Sequence, residues 1–238
     1  MLGWLDKRAV RPELMDDFSA GGDELREALR QLRMLNAMFG ASGPTLYGVK
    51  RIWEKAGKPA RMKILDVGCG SGDVNRALLR WADRNGIHLS VILADVTEVA
   101  CEEARRYYRN EPRIQIVRQD LFRLPEFGAD IVTATQLLHH FPANDLAKVV
   151  RQLLNVSRIG VVINDIHRHP VPWTAVWLVT RLLSRNRYLR HDGPLSVAKG
   201  FRMAEWQFLD NIDMAAEWNA SWRPLFRYAV TVLKNKTE

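Results

Sequence analysis

The apolar residues of the chain occur in two kinds of pattern. Apolar positions at helical spacing predict helices, and short continuous apolar runs predict strands. Leucines recur at helical spacing through residues 23–39, and a second helix is predicted over 45–56. From residue 62 onwards, short apolar runs alternate with amphipathic segments. The apolar runs predict strands over 62–67, 89–95, 114–120, 129–135 and 160–166. The amphipathic segments predict helices over 72–86, 97–110 and 144–156.

The order of these elements predicts an α/β fold. Strands that alternate with helices indicate a parallel sheet with right-handed crossovers. A helix is predicted near 203–213, and two further strands, 215–222 and 227–234, follow it as an antiparallel hairpin. We expect residues 1–59 to form an N-terminal helical cap and residues 60–238 to form the main domain.

Composition limits the class of protein. The chain has 238 residues, a formal charge of +8 and two cysteines, so a substantial core is expected and a disulfide framework is not. Its basic residues are spread along the chain, and no RNA-binding signature is present. The N-terminus is too polar for a signal peptide, and no apolar run reaches the roughly 18 residues of a membrane span. We therefore expect a cytoplasmic protein, with at most a peripheral contact at the inner face of the membrane.

The stretch KILDVGCGSGDV, residues 63–74, sets three alternating glycines just after a predicted strand. Backbone freedom at this place predicts close approach of a ligand, because ligands of parallel sheets bind beyond the carboxyl ends of the strands. Dinucleotide sites use the spacing G-x-G-x-x-G. Here Gly68, Gly70 and Gly72 alternate and Asp73 follows, so the spacing disfavours NAD(P).

With Asp66 ahead of the glycines, this stretch resembles the D-x-G-x-G-x-G motif of class I S-adenosylmethionine (SAM) methyltransferases. The resemblance covers about residues 60–165 and implies a Rossmann-like, seven-stranded, mostly parallel sheet. It implies that Asp95, after strand two, holds the ribose hydroxyls, since a carboxylate can accept two hydrogen bonds from a diol. It implies that Asp120, after strand three, contacts the adenine amine. The contacts implied for SAM are Asp66, Gly68, Cys69, Gly70, Gly72, Asp95, Val96, Asp120, Leu121 and Gln136.

Histidines near two strand ends are the candidate catalytic residues. The segment LHHF after strand four resembles the LHDW segment that carries the base of plant phenolic O-methyltransferases, which implies this role for His139 or His140. Histidine suits a base because its pKa is near neutrality, and a purely structural role is the alternative. His167 and His169 follow strand five, and Asp165 is expected to orient one of them. Of these two, His167 is the third catalytic candidate.

Other patterns exclude some acceptors. No [DN]-P-P-[YF] motif follows strand four, and neither cysteine has the setting of a cytosine-methylating nucleophile, so nucleic acid is not the expected substrate. Asn164 and Asp165 reverse the order found in metal-dependent catechol enzymes, and no acid follows strand four, so no metal is predicted. Asp192 and Gly193 are interpreted as a turn.

Residues 167–202 form a predicted lid insertion with an apolar stretch at 171–184. Trp173 and Trp177 lie four residues apart and share a helix face, which suits a lid over an aromatic acceptor. Simple packing is one alternative. Contact of 171–190 with an anionic membrane is the other, because the stretch is flanked by Arg168, Arg181, Arg185, Arg187 and Arg190.

Four segments resemble a group of bacterial small-molecule methyltransferases: MDD, LNAMFG, HRHPVPW and RHDGPLS. This resemblance implies O-methylation of a small phenolic or polyketide-like acceptor by a histidine base. C-methylation of a quinone- or hydroquinone-type lipid is the alternative, because it also begins by deprotonating a ring hydroxyl. The other two classes considered are a non-catalytic SAM-binding protein and an NAD(P) oxidoreductase. The oligomeric state is not predicted.

Overall fold

Seven strands form one mixed sheet in the computed structural model of the protein, which describes residues 3–17, 21–213 and 215–235. The strands are β1 (Arg61–Val67), β2 (His88–Asp95), β3 (Ile114–Arg118), β4 (Ala129–Thr135), β5 (Ser157–Ile166), β6 (Ala215–Arg223) and β7 (Arg227–Lys234). They lie in the order β3-β2-β1-β4-β5-β7-β6. Neighbours from β3 to β5 are parallel, while β7 is antiparallel to both β5 and β6. The predicted fold class is confirmed.

The central strands are buried on both faces, as their continuous apolar sequences require in a parallel sheet. In β1, neighbouring Ile64 and Leu65 are both fully buried. The strand register sets the ends of β1, β2 and β4 side by side, because Val67 pairs with Ala94 and with Ala134. Strand order reverses between β1 and β4, so the crevice beyond these ends is the expected ligand site of such a sheet.

Helices cover both faces of the sheet. They are α1 (Asp23–Met38), α2 (Ser42–Lys55), α3 (Asn75–Arg84), α4 (Glu98–Tyr107), α5 (Leu146–Asn155), α6 (Pro170–Leu183) and α7 (Arg187–Lys199). One apolar cluster joins Leu65 to Leu153 of α5, and the other joins Ile64 to Ile52 of α2 and Leu78 of α3. These clusters hold the strand ends rigidly in place beneath the crevice.

The second helix packs directly on the sheet. A Cβ atom on Gly48 of α2 would collide with Val162 of β5, so only glycine allows this close approach. The N-terminal residues and the sheet therefore share one core at this point. The division at residue 59 stays a prediction, and residues 1–2, 18–20, 214 and 236–238 of the predicted domains lie outside the described residues.

The predicted insertion is helical, but the predicted turn within it is wrong. Asp192 and Gly193 lie inside α7. A Cβ atom on Gly193 would lie 3.0 Å from Val176 Cγ1, so this glycine lets α7 approach α6 closely. The Asp192 carboxylate accepts hydrogen bonds from the Leu14 and Met15 N–H groups at 2.8 and 3.0 Å. The conformation of Asp192 and Gly193 is therefore determined by helix packing and by a distant chain segment, not by a local turn.

Several predicted boundaries shift by a few residues. Strand β5 begins at Ser157, before the predicted 160, and pairs there with Ala129 of β4. Strand β3 ends at Arg118. The helix predicted near 203–213 is a 3₁₀ helix, Met203–Asn211. Within the described residues, no helix is both long and apolar enough to cross a bilayer.

Candidate active site

The glycine loop after β1 contains three residues with positive φ, but their surroundings differ. Gly68, Gly70 and Gly72 have φ values of 64°, 55° and 72°. Added Cβ atoms would lie 2.6 Å from Leu137 Cδ1 at Gly68 and 2.5 Å from Leu93 Cδ1 at Gly72. At Gly70 no protein atom would lie within 4 Å of it. Gly68 and Gly72 therefore allow the loop to pack, and Gly70 leaves its backbone open to a ligand.

Asp66 lies beneath this loop. Its carboxylate accepts hydrogen bonds from Asn75 Nδ2 at 2.6 Å and from the Thr133 hydroxyl at 2.7 Å. Burial raises the pKa of Asp66 to about 6, and these two donors oppose the rise. The carboxylate thus ties the start of α3 to β4 and fixes the loop from below. Its predicted contact with the cofactor stays a prediction.

Asp95 closes the other side of the loop. Its Oδ2 accepts the Gly70 N–H at 2.9 Å, and its Oδ1 accepts the N–H and hydroxyl of Thr97, both at 2.9 Å. Burial raises the pKa of Asp95, and these donors oppose the rise. The next residue, Val96, accepts a hydrogen bond from Arg118 through its carbonyl. A carboxylate therefore stands beside the open backbone of Gly70.

Three further predicted contacts lie at the ends of β1 and β3. Asp120 caps a short 3₁₀ helix by accepting the Phe122 N–H at 2.8 Å. Leu121 is buried in the core. The thiol of Cys69 lies 3.4 Å from the Gly70 carbonyl, and burial raises its pKa well above the ordinary value. Because thiolates and not thiols are nucleophiles, this raised pKa argues against a nucleophilic role for Cys69. The contacts of Cys69, Asp120 and Leu121 with the cofactor stay predictions.

The loop after β4 meets α1 above the glycines. Gln136 has a positive φ of 54°, and its Nε2 donates to Asn36 Oδ1 at 3.0 Å. Asn36 in turn donates to Asp73 Oδ2 at 3.3 Å. The chain of three side chains links α1, the β4 loop and the glycine loop. Asn36 was not predicted as a site residue, because only the fold brings α1 to this position.

His139 is buried between two carboxylates. Its Nδ1 lies 2.7 Å from Asp165 Oδ1, and its backbone N–H donates to Asp165 Oδ2 at 3.1 Å. On the other side, Nε2 lies 3.6 Å from Glu13 Oε1, which is too long for a hydrogen bond. Burial lowers the pKa of His139, but Asp165 and Glu13 outweigh it and raise the pKa to about 9. The resting ring is therefore an imidazolium at neutral pH.

The N-terminal segment, residues 5–16, covers this histidine. Arg8 donates to the carbonyls of His139 and Phe141 at 3.2 and 3.1 Å. Burial raises the pKa of Glu13, but His139, His140 and Lys199 lower it to about 2. Lys199 Nζ lies 3.3 Å from Glu13 Oε1. The segment thus places a carboxylate next to the imidazole edge that would otherwise face the crevice.

His140 lies beside His139, with the two rings tilted relative to each other, and has a different partner. The two ring centroids are 4.3 Å apart, and His140 Nδ1 lies 2.6 Å from Asp16 Oδ1. Asp16 also lies 3.3 Å from Lys199 Nζ. Both His140 and Asp16 are about one quarter exposed. His140 therefore belongs to a more open ion-pair network than His139.

One cluster of side chains in the described residues could hold a metal ion. The ligating atoms of Glu13, His139 and His140 lie within 4.8 Å of one another. Lys199 Nζ occupies the same neighbourhood, 3.3 Å from the Glu13 carboxylate. A positive charge there opposes cation binding. The prediction of a metal-free site stays a prediction.

The histidines after β5 occupy a separate place. His167 Nδ1 accepts a hydrogen bond from Trp222 Nε1 at 3.2 Å. Burial, with nearby positive groups, lowers the pKa of His167 to about 4, so the ring is neutral. His169 caps α6 by accepting the Val171 N–H. The expectation that Asp165 orients one of these histidines is wrong, because Asp165 binds His139.

Arg227 is a further buried group that the sequence analysis missed. Its Nε donates to the Phe39 carbonyl at 3.1 Å, while its Nη1 is buried with no hydrogen-bond partner among the described residues. Burial lowers the pKa of Arg227 to about 10, and Asp165 and Asp73 oppose this change. The guanidinium thus lies near both the His139 partner and the glycine loop. A buried donor without a partner suits a ligand oxygen.

Comparisons with known proteins point to one class of domain. Residues 64–160 match the family model described as a methyltransferase domain. The chain is 27% identical over 169 residues to the ubiquinone biosynthesis O-methyltransferase of Acinetobacter baylyi, covering 66% of this chain and 68% of that protein. It is 30% identical over 106 residues to a sterol 24-C-methyltransferase of Aspergillus fumigatus, covering 42% of this chain. The chain spans only 26% of that sterol enzyme.

A solved structure extends the likeness beyond the matched domain. The crystal structure of human N-acetylserotonin methyltransferase in complex with SAM superposes with a TM-score of 0.62 and 16% identity. The superposition covers 95% of this chain and 63% of that chain. At this identity the likeness concerns the fold.

Proposed function

Because residues 64–160 form a class I SAM-dependent methyltransferase domain, we propose that the protein methylates an oxygen atom of a small phenolic or polyketide-like acceptor. SAM is the cofactor of this domain, and when bound it supplies an electrophilic methyl group. The acceptor would lie beyond the ends of β4 and β5, between α1, α6 and the N-terminal segment. The observation that carries the proposal is the His139–Asp165 pair.

The open backbone at Gly70 fits a cofactor, because a Cβ atom there would fill space that no protein atom occupies. In this proposal, Asp95 accepts hydrogen bonds from the ribose hydroxyls beside Gly70. Asp120 contacts the adenine, and Gln136 lies near the methionine end. Asp95 is the last residue of β2, and Asp120 and Gln136 follow β3 and β4, so all three lie at the same edge of the sheet. Asp66 acts indirectly by holding the loop.

His139 is the proposed general base. Asp165 holds its Nδ1 at 2.7 Å, which directs Nε2 away from Asp165, to the side where Glu13 Oε1 lies 3.6 Å away. A carboxylate that fixes the ring in this way favours proton uptake at the other nitrogen. The proton of an acceptor hydroxyl would then pass to Nε2. His140 and His167 receive no proton in this scheme, because His140 Nδ1 pairs with Asp16 outside the buried His139–Asp165 pair, and the pKa of His167, lowered to about 4, makes it a weak base.

Glu13 would have to leave His139 before this transfer. With Glu13 in place the pKa of His139 is about 9, so the ring is already protonated at neutral pH and is no base. Removing the Glu13 carboxylate removes part of what raises that pKa. An acceptor that displaces Glu13 would therefore reach Nε2 and lower the pKa of His139, so that the ring releases its proton to water before it accepts the proton of the acceptor hydroxyl. Arg227 Nη1, which has no hydrogen-bond partner in the described part of the chain, is proposed to bind an acceptor oxygen.

Methyl transfer to carbon is the second candidate. It is favoured by the similarity to the sterol 24-C-methyltransferase of Aspergillus fumigatus, which is confined to 42% of this chain. The same base would serve both reactions when the acceptor is a hydroquinone. NMR of the product made from methyl-labelled SAM separates the two, because methoxy and ring-methyl carbons have different shifts.

The test begins with a screen of phenols, hydroxypyrones and hydroquinones, using transfer of label from SAM as the readout. With the best acceptor, His139→Gln should lower kcat by about 10²–10⁴ while SAM affinity by calorimetry is retained. His140→Gln is the matched control and should lower kcat less than about tenfold. A loss under about tenfold in folded His139→Gln would make this histidine structural.

The pH dependence of kcat/KM separates a catalytic role of His139 from a structural one, because a purely structural histidine would not set its acidic limb. Glu13→Gln removes a carboxylate that raises the pKa of His139. The acidic limb of kcat/KM should therefore shift to lower pH in this variant. An unshifted limb would contradict the assignment of His139 as the base.

A further inference from the structure

The outer face of α6 is apolar and exposed. Val171, Leu178, Leu182 and Leu183 are 55%, 47%, 71% and 64% exposed. Val171, Leu178 and Leu182 are spaced seven and four residues apart, so they form one row along the helix. Such a row of large apolar side chains on the surface indicates a binding face.

The opposite face of α6 is already used. Pro172 and Thr180 are buried, and Gly193 of α7 packs against Val176 and Thr180. Trp173 and Trp177 stack with ring centroids 6.4 Å apart. The helix is therefore fixed to the protein along one side, and the row of Val171, Leu178 and Leu182 is left on the other.

Positive charge surrounds this row. Residues 166–191 contain five arginines and neither Asp nor Glu. Arg168 and Arg187 pair with Glu205 and Glu24. Within the described residues, no carboxylate lies within ion-pair distance of the three remaining arginines, which are Arg181, Arg185 and Arg190. Their charges are thus available to an anionic partner.

Two neighbouring elements add exposed apolar side chains. Ser184, just after α6, donates to Gln31 of α1 at 2.6 Å, and Met34 and Met38 follow on the same side of α1. At the other end of α6, the ring of His169 stacks on Phe226 in the turn between β6 and β7. Exposed Leu225 and Trp222 flank that turn. Arg227, the first residue of β7, follows the same turn.

We propose that the outer face of α6, with its flanking arginines, docks on the surface of an anionic phospholipid bilayer. The leucines would enter the boundary between head groups and acyl chains, and the arginines would contact lipid phosphates. An anionic bilayer matches both the apolar row and the flanking arginines, because its acyl chains are apolar and its head groups carry negative charge. A lipid-like acceptor could then pass from the bilayer towards the crevice without crossing water.

The test is co-sedimentation of the purified full chain with vesicles of phosphatidylcholine, alone or mixed with phosphatidylglycerol. Partitioning should be at least about tenfold stronger on the anionic vesicles and should weaken as salt is raised. The paired variant Leu178→Glu/Leu182→Glu should lower it at least about tenfold. Phe122→Glu, a similarly exposed apolar position outside α6, is the matched control and should bind like the parent chain.

A second pair of variants tests the charges. Arg181→Gln/Arg185→Gln should weaken binding about tenfold and flatten its salt dependence. Arg80→Gln/Arg84→Gln removes the same charge from exposed positions on α3 and should have little effect. Equal binding to both vesicle types, or equal loss in target and control variants, would overturn the proposal.

A second copy of this chain is the competing occupant of the face. A dimer in size-exclusion chromatography that dissociates in Leu178→Glu/Leu182→Glu, without vesicle binding by the parent chain, would overturn the membrane assignment. SAM affinity and the melting temperature should be unchanged in every variant, which shows that the fold is retained. The test measures vesicle binding and needs neither an acceptor nor methyl transfer, so its outcome is independent of the proposed reaction.

Discussion

Replacing His139 by Gln should destabilise the protein in a pH-dependent way. The histidine and Asp165 are both buried, with Nδ1 and Oδ1 2.7 Å apart. The variant removes the positive charge that lies 2.7 Å from the buried Asp165 carboxylate. Breaking a buried pair in this way costs about 3–5 kcal/mol. For a chain of this size, the melting temperature should fall by about 10 °C near pH 6.

The pH dependence follows from the pKa of His139. A pKa raised to about 9 in the folded protein, against about 6.5 in an unfolded chain, corresponds to about 3 kcal/mol. This contribution is fully present below about pH 6.5 and is lost as the pH rises through about 9. The difference between the parent and His139→Gln should therefore shrink by about 3 kcal/mol between about pH 6 and pH 10.

Urea unfolding followed by tryptophan fluorescence at these two pH values measures that difference. His140→Gln is the control, since His140 and Asp16 are partly exposed and their pair should contribute at most about 1 kcal/mol. Equal costs for the two variants would refute the reasoning. So would a cost of His139→Gln that does not change with pH.

Three further outcomes are expected. Asp95→Ala should weaken SAM binding at least about tenfold in calorimetric titration, and unchanged affinity would refute the ribose assignment. Gly70→Ala should weaken SAM binding at a stability cost of about 1 kcal/mol. Gly72→Ala should lower the melting temperature further, because its Cβ would lie 2.5 Å from a side chain; equal melting temperatures would contradict this. EDTA should leave turnover unchanged, because Lys199 opposes a cation at Glu13; activity lost to EDTA and restored by a metal would disprove this.

The sheet could be predicted from sequence because its signals are local. Each strand of the parallel core is a short apolar run, and β1 and β2 lie within one residue of their predicted limits. The turn predicted at Asp192 is wrong because the signals that determine the conformation there are not local. There the carboxylate binds the backbone of Leu14 and Met15, and Gly193 packs on α6, so distant partners determine the conformation.

Some residues of the candidate site could be predicted from local motifs, and others could not. The glycines, Asp95 and the histidine pair lie in short motifs at strand ends, where sequence position implies spatial position. Glu13 and Lys199 belong to no motif and meet His139 only through the fold. In the sequence, nothing distinguishes Arg227 from an ordinary polar residue at the start of a strand. Its buried guanidinium, whose Nη1 has no hydrogen-bond partner among the described residues, is visible only once the hairpin is placed beside α1.

The N-terminal segment is synthesised first, but residues made near the end of the chain hold it. Arg8 binds the Lys199 carbonyl 191 residues away, and Leu14 binds Asp192 178 residues away. At about 5–20 residues per second, the segment waits about 10–40 s on the ribosome before these partners exist. The cover over His139 is therefore among the last parts of the nascent chain to assemble. A translation product that stops before α7 would carry the glycine loop and the His139–Asp165 pair without the Lys199 and Asp192 contacts that hold this cover.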